Sequence, residues 1–225
     1  MPAFDTATTN IGTGISNLTL SHTAGGADRL AIAVVAWRRN DTQDVSAFTY
    51  GGSGMTLVLT ESGSGFVAVE MRYFIAPANS SQTVSVTLTN TATQIALAVA
   101  TYTGVHQVTP IGTPVSASQA GVGSSLSDTV ISAVEDLCVD GICVRRDSTG
   151  LTPDVPQTQR ANAFSGSTEA HVNVGISDEV GAASVTMGWT WTTATHGDLV
   201  VVPLKPVGGV PSPIPATPLV GNLRW

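Results

Sequence analysis

The residues able to do chemistry in this chain are few and scattered. Four histidines, His22, His106, His171 and His196, stand singly, without the H-E-x-x-H or H-x-H spacing that turns two imidazoles toward one metal ion. Each reads as a surface or strand-end residue. Serine is abundant, but Gly51-Gly52-Ser53-Gly54-Met55 lacks the final glycine of a nucleophile elbow and falls in a hairpin rather than between strand and helix. The carboxylates Asp178-Glu179 and Asp41 with Asp44 do not follow the spacing of a calcium loop and read as loop charges. Gly12-Thr13-Gly14 is too short for a phosphate-cradling fingerprint, which needs a strand before it and a helix after it. No catalytic residue, cofactor site or metal site is therefore expected, and the chain is read as non-enzymatic.

Two cysteines lie in the segment Asp136-LCVDGICV-Arg145. If Asp140-Gly141 makes a two-residue hairpin turn, Cys138 and Cys143 face each other and could form a disulfide. If the segment is one strand, their opposite parity puts them on opposite faces, about 16 Å apart at ~3.3 Å per residue. The continuous strand with two free thiols is the preferred reading. Exposed aromatic rings could build a sugar-binding platform, but Trp37, Trp189 and Trp191 sit on parities assigned to the core, which leaves Trp225 and Tyr50.

Composition narrows the classes further. Only 11% of the 225 residues are charged, and the net charge of −7 argues against a surface built for nucleic-acid phosphates. Eight of the nine basic residues are arginine, Lys205 being the exception. The N-terminus carries neither a basic n-region nor an apolar h-region, so no secretory signal is expected. No apolar run approaches the ~18 residues of a membrane-spanning helix, so no membrane partner is expected. Amphipathic helical stretches are missing, which favours an all-β chain.

The elements follow from period-two alternation. Phe66 to Val105 reads as three strands in an antiparallel meander, with breaks at 76–80 and at Asn90-Thr91-Ala92-Thr93. Leu30 to Trp37, the most apolar run, reads as a central strand. Val45 to Tyr50 and Met55 to Glu61 read as a hairpin, and Leu18 to Leu20 lies in a short first strand. His106 to Ser127 reads as a long loop with one short strand near 114–118, and Asp147 to Gly166 as another loop. Glu169 to Ile176, Ala183 to Thr192 and Gly197 to Leu204 close the domain as three strands.

The expected organisation is an N-terminal extension over 1–15, a β-sandwich over 16–205 and a Pro-rich arm over 206–225. The arm has five prolines in 20 residues and no alternation, a composition that favours extended geometry. Its Val210, Ile214, Leu219, Val220, Arg224 and Trp225 are more apolar than a solvated linker requires, and the cationic-aromatic tip is of the kind enriched at interface hot spots. These six are the candidate partner-binding residues.

Several stretches carry a resemblance. SHTAGGADRLAIAVVAW, FTYGGSGMTLV, VEMRYFIAPANSSQTVSVTLT and ALAVATYTGVHQVTPIG, continued by the Asp136 to Asp140 strand and the Trp189/Trp191 strand, resemble a jelly-roll-type β-sandwich module of phage virion (decoration or fibre) and bacterial surface proteins. The likeness covers roughly residues 16 to 205, in core and turn positions. It implies an all-β, two-sheet antiparallel β-sandwich of jelly-roll type with an extended Pro-rich C-terminal arm. It also implies a capsid decoration (cement) or head-fibre subunit of a tailed phage, located in the virion, binding a major capsid protein or other virion protein. Self-association is expected because only six charged residues lie strictly between Gly63 and Arg145; the homotrimer comes from the analogy with decoration proteins. The alternative is a receptor- or glycan-binding module of a phage tail or bacterial surface protein.

Overall fold

The computed structural model describes residues 1–39, 43–146, 150–166 and 168–208, with the side chain at 194 left aside. Strands follow in the order β1 (Ala3–Thr23), β2 (Leu30–Arg38), β3 (Val45–Tyr50), β4 (Ser53–Gly54), β5 (Thr56–Glu61), β6 (Val67–Ile75), β7 (Ser81–Thr103), β8 (Val115–Ile131), β9 (Leu137–Arg145), β10 (Thr152–Pro153), β11 (Thr158–Phe164), β12 (Val172–Val180) and β13 (Ser184–Leu204). Among the described residues there is no helix. The chain is an all-β, two-sheet antiparallel sandwich.

Each sheet comes from one half of the chain, which crosses between the sheets once, from β7 to β8. The first sheet runs β4-β3-β7-β2-β6-β5 with β1 on the other side of β7; the second runs β10-β13-β9-β12-β11 with β8 on the other side of β13. The two wirings are the same. Each half starts and ends on a long strand, and these pair with each other (β1 with β7, β8 with β13). The second strand of each half (β2, β9) joins the closing long strand, then the penultimate strand (β6, β12), then the edge (β5, β11).

The correspondence holds residue by residue. Leu30 pairs with Ile75 and Tyr102, and Leu137 with Val180 and Leu204. A register shift falls between Leu57 and Leu59 in β5, and another at the equivalent place, between Gln159 and Ala161, in β11. Stacking is reciprocal too: β7 lies on β12 and β6 on β13, β1 on β11 and β5 on β8, with β2 against β9 at the centre. The two halves are structural duplicates of one topology, related by a pseudo-twofold axis between β2 and β9.

Three cores result. The central one lies between the sheets and includes Ile32, Val34, Val69, Met71, Val139, Val174 and Val202. The long strands then bend, so that Leu18, Leu20, Val84 and Val86, with Phe48 and Tyr50 of β3, cover the outer face of β2, where Ala33, Val35 and Trp37 lie. In the second half Leu126, Val130, Val185, Met187, Trp189 and Trp191 cover Cys138, Ile142 and Val144 in the same way. Strands β2 and β9 are thus buried on both faces, as their unbroken apolar sequences require.

Several expectations change. The second and third strands of the meander are one strand, β7. Asn90-Thr91-Ala92-Thr93 marks the place where β7 passes from one partner, β3 (to Leu88), to another, β2 (from Ile95). The last two strands likewise merge into β13. Residues 1–15 are no loose extension, since β1 starts at Ala3 and pairs with β7. The 106–127 loop is shorter than expected because β8 begins at Val115, and β10 and β11 occupy part of 147–166. The expected hairpin of β3 with 55–61 shrinks to β3/β4; β5 leaves to pair with β6. Both parities of β6 are buried: Glu70, only 5% exposed, is held by Arg72 Nε at 2.6 Å and accepts from Thr60.

Strand β9 is continuous, so Cys138 belongs to the outer core and Cys143 to the central one, both reduced. Burial raises the pKa of both thiols, that of Cys143 well above its ordinary value. Intact-mass analysis without reductant should therefore find two thiols that alkylate only after denaturation. A peptide map linking Cys138 to Cys143 would overturn the assignment.

Candidate functional site

The expected candidates end up in different places. The arm residues Val210, Ile214, Leu219, Val220, Arg224 and Trp225 lie outside the described residues, as does Asp41. Trp37, Trp189 and Trp191 are buried as expected, but Tyr50 is buried as well, at 1% exposure, stacked on Phe74 at 5.2 Å. It offers no sugar platform. His22 is buried between Thr8 Oγ1 (2.8 Å) and Thr101 Oγ1 (2.6 Å), while His106 accepts from Val108 N and Thr109 N in its own turn. The two histidines serve different elements. Asp178 is buried in a bidentate pair with Arg160 (2.7 and 2.9 Å), and Arg160 packs over Phe4. Tyr102 lies near this carboxylate but outside hydrogen-bond geometry, and burial raises its pKa well above the ordinary value. Gly12-Thr13-Gly14 sits on β1, where Thr13 accepts from Gln94. No group of three metal-ligating side chains forms among the described residues.

Two buried carboxylates stand out chemically. Asp140 on β9 accepts from Ser177 N (2.9 Å), Ser177 Oγ (2.7 Å), Trp189 Nε1 (2.8 Å) and Gln157 Nε2 (2.9 Å). Burial outweighs these donors and pushes its pKa up to about 7. Asp198 accepts from Ser64 N and Oγ and is also pushed up to about 7 by burial. Both are enclosed and fully engaged, so they hold strands and loops together and offer no open reaction site.

The feature that sequence reasoning missed is a cationic end. β2 finishes in Arg38-Arg39 and β9 in Arg145-Arg146, equivalent positions that the pseudo-twofold brings to one end of the sandwich. The guanidinium carbons of Arg38 and Arg145 lie 5.5 and 4.7 Å from the centre of the Phe66 ring, which also packs on His196 at 4.2 Å. Arg38 donates to the Phe66 carbonyl, Arg39 to Ser62 O (3.2 Å) and Arg145 to Glu169 O (3.3 Å). Glu169, 64% exposed at its side chain, pairs with both Arg145 (2.7 Å) and Arg146 (3.2 Å). Desolvation and then Arg145 lower the pKa of Arg38; desolvation followed by Arg145, Arg38 and Arg146 lower that of His196. A sequence signal existed: Arg-Arg closes two apolar strands that both start with leucine.

The class defined by this architecture is an all-β sandwich of two like-wired sheets. No protein-family model matches the chain, and no curated protein matches it.

Proposed function

We propose that the chain is a non-enzymatic structural subunit that self-associates and binds a larger shell, as a capsid decoration or head-fibre protein of a phage virion would. The observation that supports this most is the character of its edges. β1 and β8 each pair on one side only, over 21 and 17 residues, with Asp5 and Asp128 as their single charged residues. Edge strands of monomeric proteins are usually blunted by charge, proline, bulges or brevity; these edges are long and Thr/Ser-rich, and only register shifts at Phe4/Thr6 and Ile15/Asn17 in β1 and opposite 190–197 in β8 interrupt them. Pairing with another copy or with a shell protein would satisfy their free backbone groups. The arm from Pro206 to Trp225 adds apolar residues to such contacts, and several copies in one oligomer would multiply weak ones.

Light scattering on the purified chain should give a mass of about three times 23.0 kDa, and deleting 209–225, which spares the contacts of Pro206 and Val207 with Val105 and Gly104, should weaken association or particle binding without lowering the melting temperature of the sandwich. A clean monomer at tens of micromolar, or association unchanged by the deletion, would count against the reading. Copy number in purified particles separates a shell subunit, present in hundreds, from a tail-tip protein. A receptor- or glycan-binding role is the second reading, favoured by the arginine-lined end.

A further inference from the structure

We propose that the end of the sandwich carrying Arg38, Arg145 and Arg146 is a binding site for an oxyanion, the carboxylate, sulfate or phosphate group of a small ligand, with Glu169 as the internal counterion that the ligand displaces. The site stands on the chain itself and does not depend on the assembly role above.

Three permanent cations meet here, Arg38 and Arg145 over the Phe66 ring and Arg146 beside Arg145 on Glu169, the one carboxylate that pairs with any of them among the described residues. It ion-pairs with Arg145 and Arg146 and reaches Arg38 only as a more distant charge. The contacts that hold Arg38 itself come from backbone carbonyls and an aromatic ring, which orient a guanidinium group without neutralising it. Such an arrangement is held against mutual repulsion, and an added oxyanion would relieve it. Guanidinium forks match the two oxygens of a carboxylate or the face of a phosphate.

A second observation points the same way. His196 is 92% buried by its 8% exposure and sits against Phe66, yet its Nδ1 has no hydrogen-bond partner; Arg146 Nε is likewise buried and unpartnered. Buried polar atoms are normally satisfied, and vacancies of this kind call for a ligand group or water. The duplication adds a third line. Over the equivalent segments 30–39 and 137–146 only the leading leucine and the two terminal arginines are identical. The core positions between them have diverged while both halves deliver the same charged pair to the same end. The net charge of −7 disfavours a long polyanion, whose remaining charges would meet an acidic surface, and favours a ligand with one or two anionic groups.

The test is titration of the full chain with sulfate, inorganic phosphate and glucuronate, with glucose as the neutral control, followed by calorimetry and by the His196 ring resonances. Saturable binding on the order of 0.1–1 mM is expected for at least one oxyanion, with none for glucose. Preference for glucuronate identifies an acidic sugar as the source of the group; preference for phosphate or sulfate identifies a free inorganic ion or its ester. Glu169→Gln should tighten binding several-fold, because it removes the competitor. The double variant Arg38→Lys with Arg145→Lys should weaken it by about tenfold, since lysine keeps the charge but loses the fork. Should the lysine variant be destabilised, the exposed Glu169→Gln carries the test alone. Absence of saturable binding to all three anions at ~20 mM, or affinity unmoved by Glu169→Gln, overturns the proposal.

Discussion

Gly141→Val should abolish or severely reduce stable folding of this chain. Gly141 lies in the middle of β9, where the two sheets meet. A Cβ there would stand 2.6 and 2.9 Å from the methyl carbons of Val34 and 3.1 Å from Met71 Cε, all fully buried. Overpacking a core by a methylene or two costs about 1–3 kcal/mol. Valine adds three carbons at a place where the first already collides, so the cost should reach or exceed the upper end of that range. Glycine in a strand interior is itself unfavourable by roughly 0.5–1 kcal/mol relative to alanine, so its presence here marks a demand for space.

The demand comes from the duplication. Val34 and Gly141 are equivalent residues that face each other at the pseudo-twofold axis, and two valines do not fit where one valine and one glycine do. Exchanging them, Val34→Gly with Gly141→Val, should recover much of the lost stability. Denaturant midpoints for both single variants and the double one give the coupling directly. Simple additivity, or a Gly141→Val protein as stable as the parent, would refute the packing argument.

The second large effect is expected at Asp140. Asp140→Ala leaves Trp189 Nε1, Ser177 N and Ser177 Oγ without their acceptor in the buried core, and takes one of two acceptors from Gln157 Nε2, which keeps Ser177 Oγ. At about 1–3 kcal/mol per stranded buried donor, the loss should be several kcal/mol. Asp140→Asn, which keeps an acceptor oxygen, should cost less. The pH response should run opposite to ordinary acid denaturation. Asp140 and Asp198 titrate near 7 in the folded chain against 3.8 as the ordinary value. Between those limits the folded state keeps protons that the unfolded state has released. Stability contributed by these groups is therefore greatest below pH 3.8, falls as pH rises through the window, and levels off above about 7. His22 and His196, both with lowered pKa, add an opposite slope below 6.5. The comparison with Asp140→Asn isolates the carboxyl: its melting temperature should vary less between pH 4 and 7 than the parent's. An identical pH profile for the two proteins would show that Asp140 is ionised throughout.

Particular segments show why the sequence was legible in some places and mute in others. Leu30 to Trp37 could be assigned to a central strand because burial on both faces leaves an uninterrupted apolar run, and strand parity separated Cys138 from Cys143. The N-terminal half of β1 could not be assigned. An edge strand half open to solvent, of threonine, asparagine and glycine, has no alternation to detect, and what fixes it is pairing with β7 some 90 residues away. The 90–93 stretch has the composition of a turn, yet Ala92 is fully buried and the strand continues. The change that occurs there is one of partner, and partners are not encoded locally. Tyr50 stands at the end of a short strand where parity says little, and its environment is set by His22 of β1 and Phe74 of β6 packing on it. The duplication left almost no trace in identity, since core positions need only similar volume. Its surviving mark, the two Arg-Arg pairs, stands at the ends of two strands more than 100 residues apart, and nothing local to either pair links them.

The pseudo-twofold also bears on what assemblies this subunit can build. A true homodimer of one half would present the same edge twice, and any contact it made through that edge would close on itself symmetrically. With both halves in one chain that obligation is absent. β1 and β8 now occupy equivalent edges with unlike sequences, so each can be tuned for a different neighbour, and a β1-to-β8 contact repeats head to tail. Such a repeat closes into a ring if its rotation divides a full turn and grows into a filament if it does not.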